Sequence, residues 1–385
     1  MRKFVVVLSA VLLSASTVLA QSVSNVTNAR MDGLGVQNWQ VEDPYNIFIN
    51  PAQIGNYKGM VNLEMGDYVK AGSAVANPNQ DEIATGSQWG GANLGTSYGV
   101  WGIYLGRPYS GPLTSLPGTA PTNNRFDLFY APNGMPIGVY LSYANQSTEV
   151  SAPGGDTTDE ATEIYLGVGG VFMGGMLDAA LNLGLPDSST EAGGVKVESD
   201  AGINAALIAR LRQDHEGGKY FYTVRLAQTD ATVKDGEDNT GTLIGLDWTC
   251  NSKPNDATLF IVGVGLQFTS SDTPNATNTD TITTDNILLP VNAAVEHQTF
   301  KRVKTRVGVS KAIYNSTSVD DSAADTTTDT VADGAATVSA GLGMMLADNV
   351  ELDAVLNQDF IFAGPYGISG VAETLSSKVS ASVKF

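Results

Sequence analysis

Apolar and polar residues alternate along most of this chain. At its end, Val379, Ala381, Val383 and Phe385 fall on one side of an extended strand, and Lys378, Ser380, Ser382 and Lys384 on the other. Successive strand side chains point to opposite faces, so this spacing is a strand signal. The same period of two, flanked by turn residues, predicts strands at about 58–69, 90–98, 100–107, 124–131, 135–145, 161–170, 174–185 and 200–213. It continues at 219–231, 241–251, 256–269, 287–298, 302–314, 335–346, 349–358 and 373–385. Most have the roughly 9–11 residues that a tilted strand needs to cross a bilayer.

The connections alternate too. Short turns at 132–134, 214–218, 251–254 and 347–348 are interleaved with longer polar loops centred near 75–88, 110–123, 147–160, 187–199, 232–240, 271–285, 316–334 and 360–371. Short turns at one end and long loops at the other are the rhythm of a membrane β-barrel. The parity closes, with Phe385 ending on the short-turn side. The prediction is an all-β, transmembrane antiparallel barrel of about sixteen strands, or fourteen if one hairpin is misread.

The faces agree. Outward candidates are Ile137/Val139/Leu141/Tyr143, Leu177/Ala179/Leu181/Leu183, Ile203/Ala205/Leu207/Ala209/Leu211 and Phe260/Val262/Val264/Leu266/Phe268. Opposite them stand Glu64, Asp127, Asp178, Asn204, Arg210, Arg212, Arg225, Asp247, Arg306, Glu351 and Asp353. A charge on the lipid face costs roughly 2–4 kcal/mol near the midplane, so their segregation is informative. Trp101, Tyr104, Tyr220, Tyr222 and Trp248 are candidates for interfacial girdles. No later stretch approaches 18 consecutive apolar residues; the nearest, Ile164 to Leu185, is rich in glycine and reads as two strands joined by a glycine turn.

The first residues read as an export signal: Arg2 and Lys3, an apolar run from Phe4 to Leu13, then Val18-Leu19-Ala20 before Gln21. The expected divisions are therefore a signal peptide at 1–20, an N-terminal segment at 21–57 with no sustained period, and the barrel at 58–385. Cys250 is the only cysteine, which excludes an internal disulfide. The net charge of -19 disfavours nucleic acid as a partner.

Two resemblances add to this. The closing strand with its terminal Phe385 is similar to the C-terminal signature of bacterial outer-membrane barrels, which implies reading by the barrel-assembly machinery. The run Arg30, Gly33, Gly35, Asn50, Pro51, Ala52 resembles the N-terminal region of the outer-membrane long-chain fatty-acid transporter family, a group with secretion-associated relatives. It departs from that pattern at Met31-Asp32 and at Gln53-Ile54. The resemblance implies that 21–57 folds into the barrel as a hatch. It also implies a Gram-negative-type outer membrane, with its lipids and lipopolysaccharide as surroundings and a hydrophobic small molecule as ligand.

The candidate lumen residues are Arg210, Arg212, Arg225, Arg306, Asp178 and Asp247. Arginine suits the carboxylate of a lipid substrate, because its planar fork makes two parallel hydrogen bonds. The same arginines, with Lys304, have a structural alternative: pairing with Asp178, Asp247, Glu296 or Asp353, or docking the N-terminal segment. An enzyme is hard to build here. His215 and His297 lie at a turn and a strand end, with no triad partners in view. No phosphate-cradling or nucleophile motif occurs, so no cofactor and no metal centre is expected. Asp320 to Asp333 and Asp235-Gly236-Glu237-Asp238-Asn239 offer oxygens for Ca²⁺ but lack the twelve-residue loop spacing, and read as solvated loops. Three functions fit: uptake of hydrophobic compounds such as fatty acids, a porin for small hydrophilic solutes, or a surface- or secretion-associated interaction barrel.

Overall fold

The computed structural model describes residues 28–66, 87–107, 124–152, 155–192, 195–233, 238–274, 281–321, 326–332, 334, 336–356 and 376–385. The expected signal peptide, the loop near 75–88 as far as residue 86, the loops near 110–123 and 360–371, and Asp235 to Glu237 lie outside them.

The wall begins with β1 (Met60–Gly66), β2 (Ser87–Gly95), β3 (Gly99–Leu105), β4 (Asn124–Pro132), β5 (Ile137–Ala152) and β6 (Gly155–Phe172). It continues through β7 (Leu177–Ala192), β8 (Val195–Ala201), β9 (Asn204–His215), β10 (Gly218–Val233), β11 (Asp238–Asn255) and β12 (Thr258–Pro274). It ends with β13 (Thr281–Phe300), β14 (Val303–Asp321), β15 (Thr326–Val331), β16 (Thr337–Ala347), β17 (Val350–Leu356) and β18 (Ser376–Lys384). β8 and β9 both pair with β7 and with β10, as two lengths of one interrupted strand. β15 and β16 do the same along β14. The eighteen segments therefore make sixteen wall strands, matching the sixteen expected one for one. Every pairing is antiparallel, and Met60↔Lys384 through Gly66↔Lys378 closes the sheet on itself.

Closure satisfies the backbone at membrane depth, where no water can do so. The alternation then decides what faces out. Leu141, Leu166, Val168, Leu207, Phe260 and Val262 are each 40–49% exposed on the outer surface. Their neighbours Ser142, Tyr165, Ala206 and Ile261 are buried inside. These are the faces the period predicts.

Two expectations need correction. The stretches near 147–160, 187–199, 271–285 and 316–334 are largely strand and not loop: β5 and β6 stay paired out to Ala152↔Gly155, and β13 and β14 out to Ile282↔Asp321. Their polarity means solvent on both faces, and their Thr, Ser and Val content favours extended backbone. The turn placed at 251–254 falls at 256–257, because β11 runs on to Asn255. The wall weakens in mid-strand beside Pro290: the β12–β13 ladder skips Gly265 and Leu266, opposite Leu289 and Pro290, and a bulge lies beside Pro290 in the β13–β14 ladder. Proline has no N–H to give, so a break there is expected.

Candidate functional site

Residues 28–57 lie within the closed sheet, built from four short turns of helix (Ala29–Leu34, Asn38–Gln40, Pro44–Phe48 and Pro51–Asn56) and their caps. α1 (Ala29–Leu34) starts at Asn28, whose side chain accepts the Met31 N–H at 2.9 Å, and stops at Gly35, whose φ of 62° is left-handed and suits glycine. The Asp43 side chain accepts the Tyr45 N–H at 3.1 Å, and the Asn46 side-chain Oδ1 accepts the Asp43 N–H at 3.1 Å, so Pro44–Phe48 is capped from both directions. Asn50 accepts the Ala52 N–H at 3.0 Å while donating to the Gly170 carbonyl of β6 at 2.9 Å. Pro51 then opens Pro51–Asn56, where its missing N–H costs nothing. The Asn-Pro-Ala run is thus a cap and an anchor at once.

Charge holds one side of the segment to the wall. Arg30 forks onto Glu296 of β13 at 3.0 and 3.2 Å and reaches Asp43 at 2.9 Å. Glu296 also accepts from Arg306 at 2.6 Å, and Arg306 bonds Asp353 at 2.5 Å. Gly33 lies against Gly341 of β16, where a Cβ would stand 2.9 Å from the Gly341 Cα. Further round, Arg210 pairs with Asp178 at 2.9 Å and donates to the Trp39 carbonyl at 3.3 Å. Arg212 pairs with the same Asp178, and Gln53 donates to it at 3.0 Å. Arg225 pairs with Asp247 at 2.9 Å and stacks over Trp39 at 4.1 Å. Lys304 pairs with Glu351 at 2.8 Å. All six candidate lumen residues therefore lie on the inner face, each in an ion pair, and Asp178, Arg210, Arg212 and Arg225 also touch the N-terminal segment.

The opposite side is aromatic. Phe48 packs edge-on to Trp89, Tyr104 and Phe129 at 5.7, 5.1 and 5.5 Å, and Tyr45 to Trp89 at 5.2 Å. Such pairs add about 0.5–1.5 kcal/mol each beyond their buried area. Tyr104 is completely buried here, so it belongs to the interior and not to the interfacial girdle expected of it. Trp101 and Tyr222 do face outward. Trp89 and Tyr45 both donate to Glu64, at 3.0 and 3.3 Å. Burial, then the Glu64 charge, pushes the Tyr45 phenol well above its ordinary pKa, which keeps it a donor.

Three further interior contacts lie outside the six candidate lumen residues, although Asp127 and Glu64 are expected to face inward. Arg107 forks onto Asp127 at 2.7 and 3.2 Å, bonds the Tyr140 hydroxyl at 2.9 Å and lies over Phe48 at 4.4 Å. Arg125 pairs with Glu163 at 2.7 Å, both side chains fully buried. Lys378 reaches Asp32 at 2.9 Å and Glu64 at 3.0 Å. Arg125 sits two residues before the inward Asp127, and Glu163 two before the inward Tyr165, so strict alternation finds both. Arg107 ends the stretch expected as strand at 100–107, where the period would put it outward with Ile103 and Leu105; β3 instead stops at Leu105 and Gly106, at a φ of 74°, turns Arg107 inward. No group of three or more His, Cys, Asp or Glu is placed to hold a metal among the described residues.

No family model and no curated protein matches this chain in sequence. Among solved structures it is similar to outer-membrane OmpT of Vibrio cholerae, at 13% identity over 85% of this chain and 95% of that one, with a TM-score of 0.38. It is similar to a FadL homologue of Pseudomonas aeruginosa, at 12% identity over 93% and 98%, with a TM-score of 0.44. It is similar to CdiB from Escherichia coli, at 12% identity over 85% and 62%, with a TM-score of 0.43. A likeness of this size is one of barrel architecture. It does not extend the N-terminal resemblance to membership of the fatty-acid transporter family.

Proposed function

We propose that this protein is an outer-membrane barrel that admits small amphiphilic compounds of the fatty-acid type, with residues 28–57 as the hatch they must pass. The observation that carries the reading is the two-sided lining of the bore. An aromatic sector around Phe48, Trp89, Tyr104 and Phe129 faces an arginine sector around Arg210, Arg225 and Arg306. A molecule with an apolar tail and an anionic head matches both sectors. Asp178 holds Arg210, Asp247 holds Arg225, and Glu296 and Asp353 hold Arg306, and a carboxylate would compete with them for the same forks.

Purified protein in lipid vesicles tests this. Saturable binding of a fluorescent fatty acid, with little swelling in sugar solution, is the expected result. Rapid sugar entry without fatty-acid binding would make the protein a hydrophilic porin. Neither binding nor flux, with exported proteins recovered by gentle pull-down, would make it an interaction barrel.

A further inference from the structure

Beyond membrane depth the wall does not stay paired on both sides. β14 bears β16 on the length nearer the termini and β15 on the length farther from them. β16 is paired in turn by β17, but among the described residues the register gives β15 to β14 alone. All six residues of β15 are exposed. The Ala332 N–H donates to the Asn315 carbonyl at 2.9 Å, which sets the phase of the ladder. Thr326, Thr328 and Thr330 then bond β14, and Thr327, Asp329 and Val331 turn their backbone N–H and C=O to the open side. The strand has no Lys and no Pro, the residues that usually blunt such an edge.

The side chains add a charge. Thr327 stands opposite Asp320 and Asp329 opposite Ser318, so Asp320 and Asp329 are diagonal neighbours on one face, and both are exposed. We propose that β15 is a docking edge for an extended peptide segment of a partner protein, carrying Lys or Arg at alternate positions. Backbone pairing supplies the affinity of strand addition, and alternate side chains supply its selectivity. The two carboxylates favour cations. A second copy of this chain fits less well. Two barrels standing in one membrane carry β15 in the same direction, so their edges would pair parallel and set Asp329 near Asp329. This inference is independent of what passes through the bore.

The test uses the full-length barrel in detergent and a short fluorescein-labelled peptide of alternating Lys and Thr, read by fluorescence anisotropy. The same peptide N-methylated at alternate residues keeps the charge but loses the strand's donors. The expected result is binding of the plain peptide, weakened about tenfold or more by N-methylation. Thr327→Pro removes a donor on the open side without touching the β14 ladder and should weaken binding similarly, as should Asp329→Lys. Failure of the plain peptide to bind overturns the proposal. So does equal binding of the N-methylated peptide, which would mean charge attraction only, and so does a Thr327→Pro barrel that folds and binds as the parent does. A disulfide between copies of a Thr327→Cys, Cys250→Ser variant in vesicles would replace the partner peptide with a second copy.

Discussion

Lys378 and Glu64 meet at 3.0 Å across the seam where the last strand closes on the first. Lys378 also holds Asp32 of α1 at 2.9 Å, so one ammonium joins β18, β1 and the N-terminal segment. Removing it leaves Glu64 buried without its cation, which for a buried pair costs about 3–5 kcal/mol. Asp32 is partly solvated, and its loss should cost only about 0–1 kcal/mol. Lys378→Met should therefore shift the urea midpoint of the folded barrel far more than Asp32→Asn. Equal midpoints would mean that the seam does not depend on this contact.

The Arg125–Glu163 pair invites a different comparison. Both side chains are fully buried, and Glu163 also accepts the Tyr165 hydroxyl at 3.2 Å. Glu163→Leu strands a guanidinium, and Arg125→Met strands a carboxylate, each at about 3–5 kcal/mol. The double variant strands neither. It should be destabilised by clearly less than the sum of the two, in a double-mutant cycle measured by denaturant unfolding in micelles. Simple additivity would show that the two groups act independently.

The contrast between these pairs and the wall marks what could be read in advance. Lipid on one side and a filled bore on the other impose a strict period of two, so Leu141 and Ser142 announce their faces from sequence alone. Where water bathes both faces, as along the paired ends at 282–285 of β13 and 318–321 of β14, the constraint lapses and paired strand looks like loop. Partner choice across the bore is not local either. Nothing near Arg30 in the chain points to Glu296, because the two meet only when the segment enters the closed sheet. Tyr104 misleads for a related reason: an aromatic on a strand suits a girdle or a core, and only its neighbours Phe48 and Phe129 decide.

The outer belt itself is open to test. Leu166 lies on the outer face at 49% exposure, while its neighbour Tyr165 is buried inside. An arginine on the lipid side near the midplane costs about 2–4 kcal/mol. Leu166→Arg should lower folding stability in vesicles by that amount. Asp187→Arg, at an exposed position toward the far end of β7, should cost about 0–1 kcal/mol, the value near the interface. Similar small effects at both sites would contradict a bilayer around Leu166.

The seating of residues 28–57 rests on a close approach that one methyl group can spoil. Gly308 of β14 faces the Leu34 carbonyl so closely that any Cβ would overlap it. Alanine is otherwise acceptable in an antiparallel strand, so the wall should survive Gly308→Ala while α1 is pushed inward. That movement strains the Arg30 fork on Glu296 and the contact of Gly33 with Gly341. Protease should then cleave within 28–57 faster than in the parent, and ion conductance across a planar bilayer should rise. The denaturant midpoint of the wall should move little. Glu296→Gln weakens the same attachment through its charge and should raise conductance in the same direction. Unchanged conductance and cleavage in both variants would mean that the segment is held elsewhere, by Arg210, Asn50 and the aromatic sector.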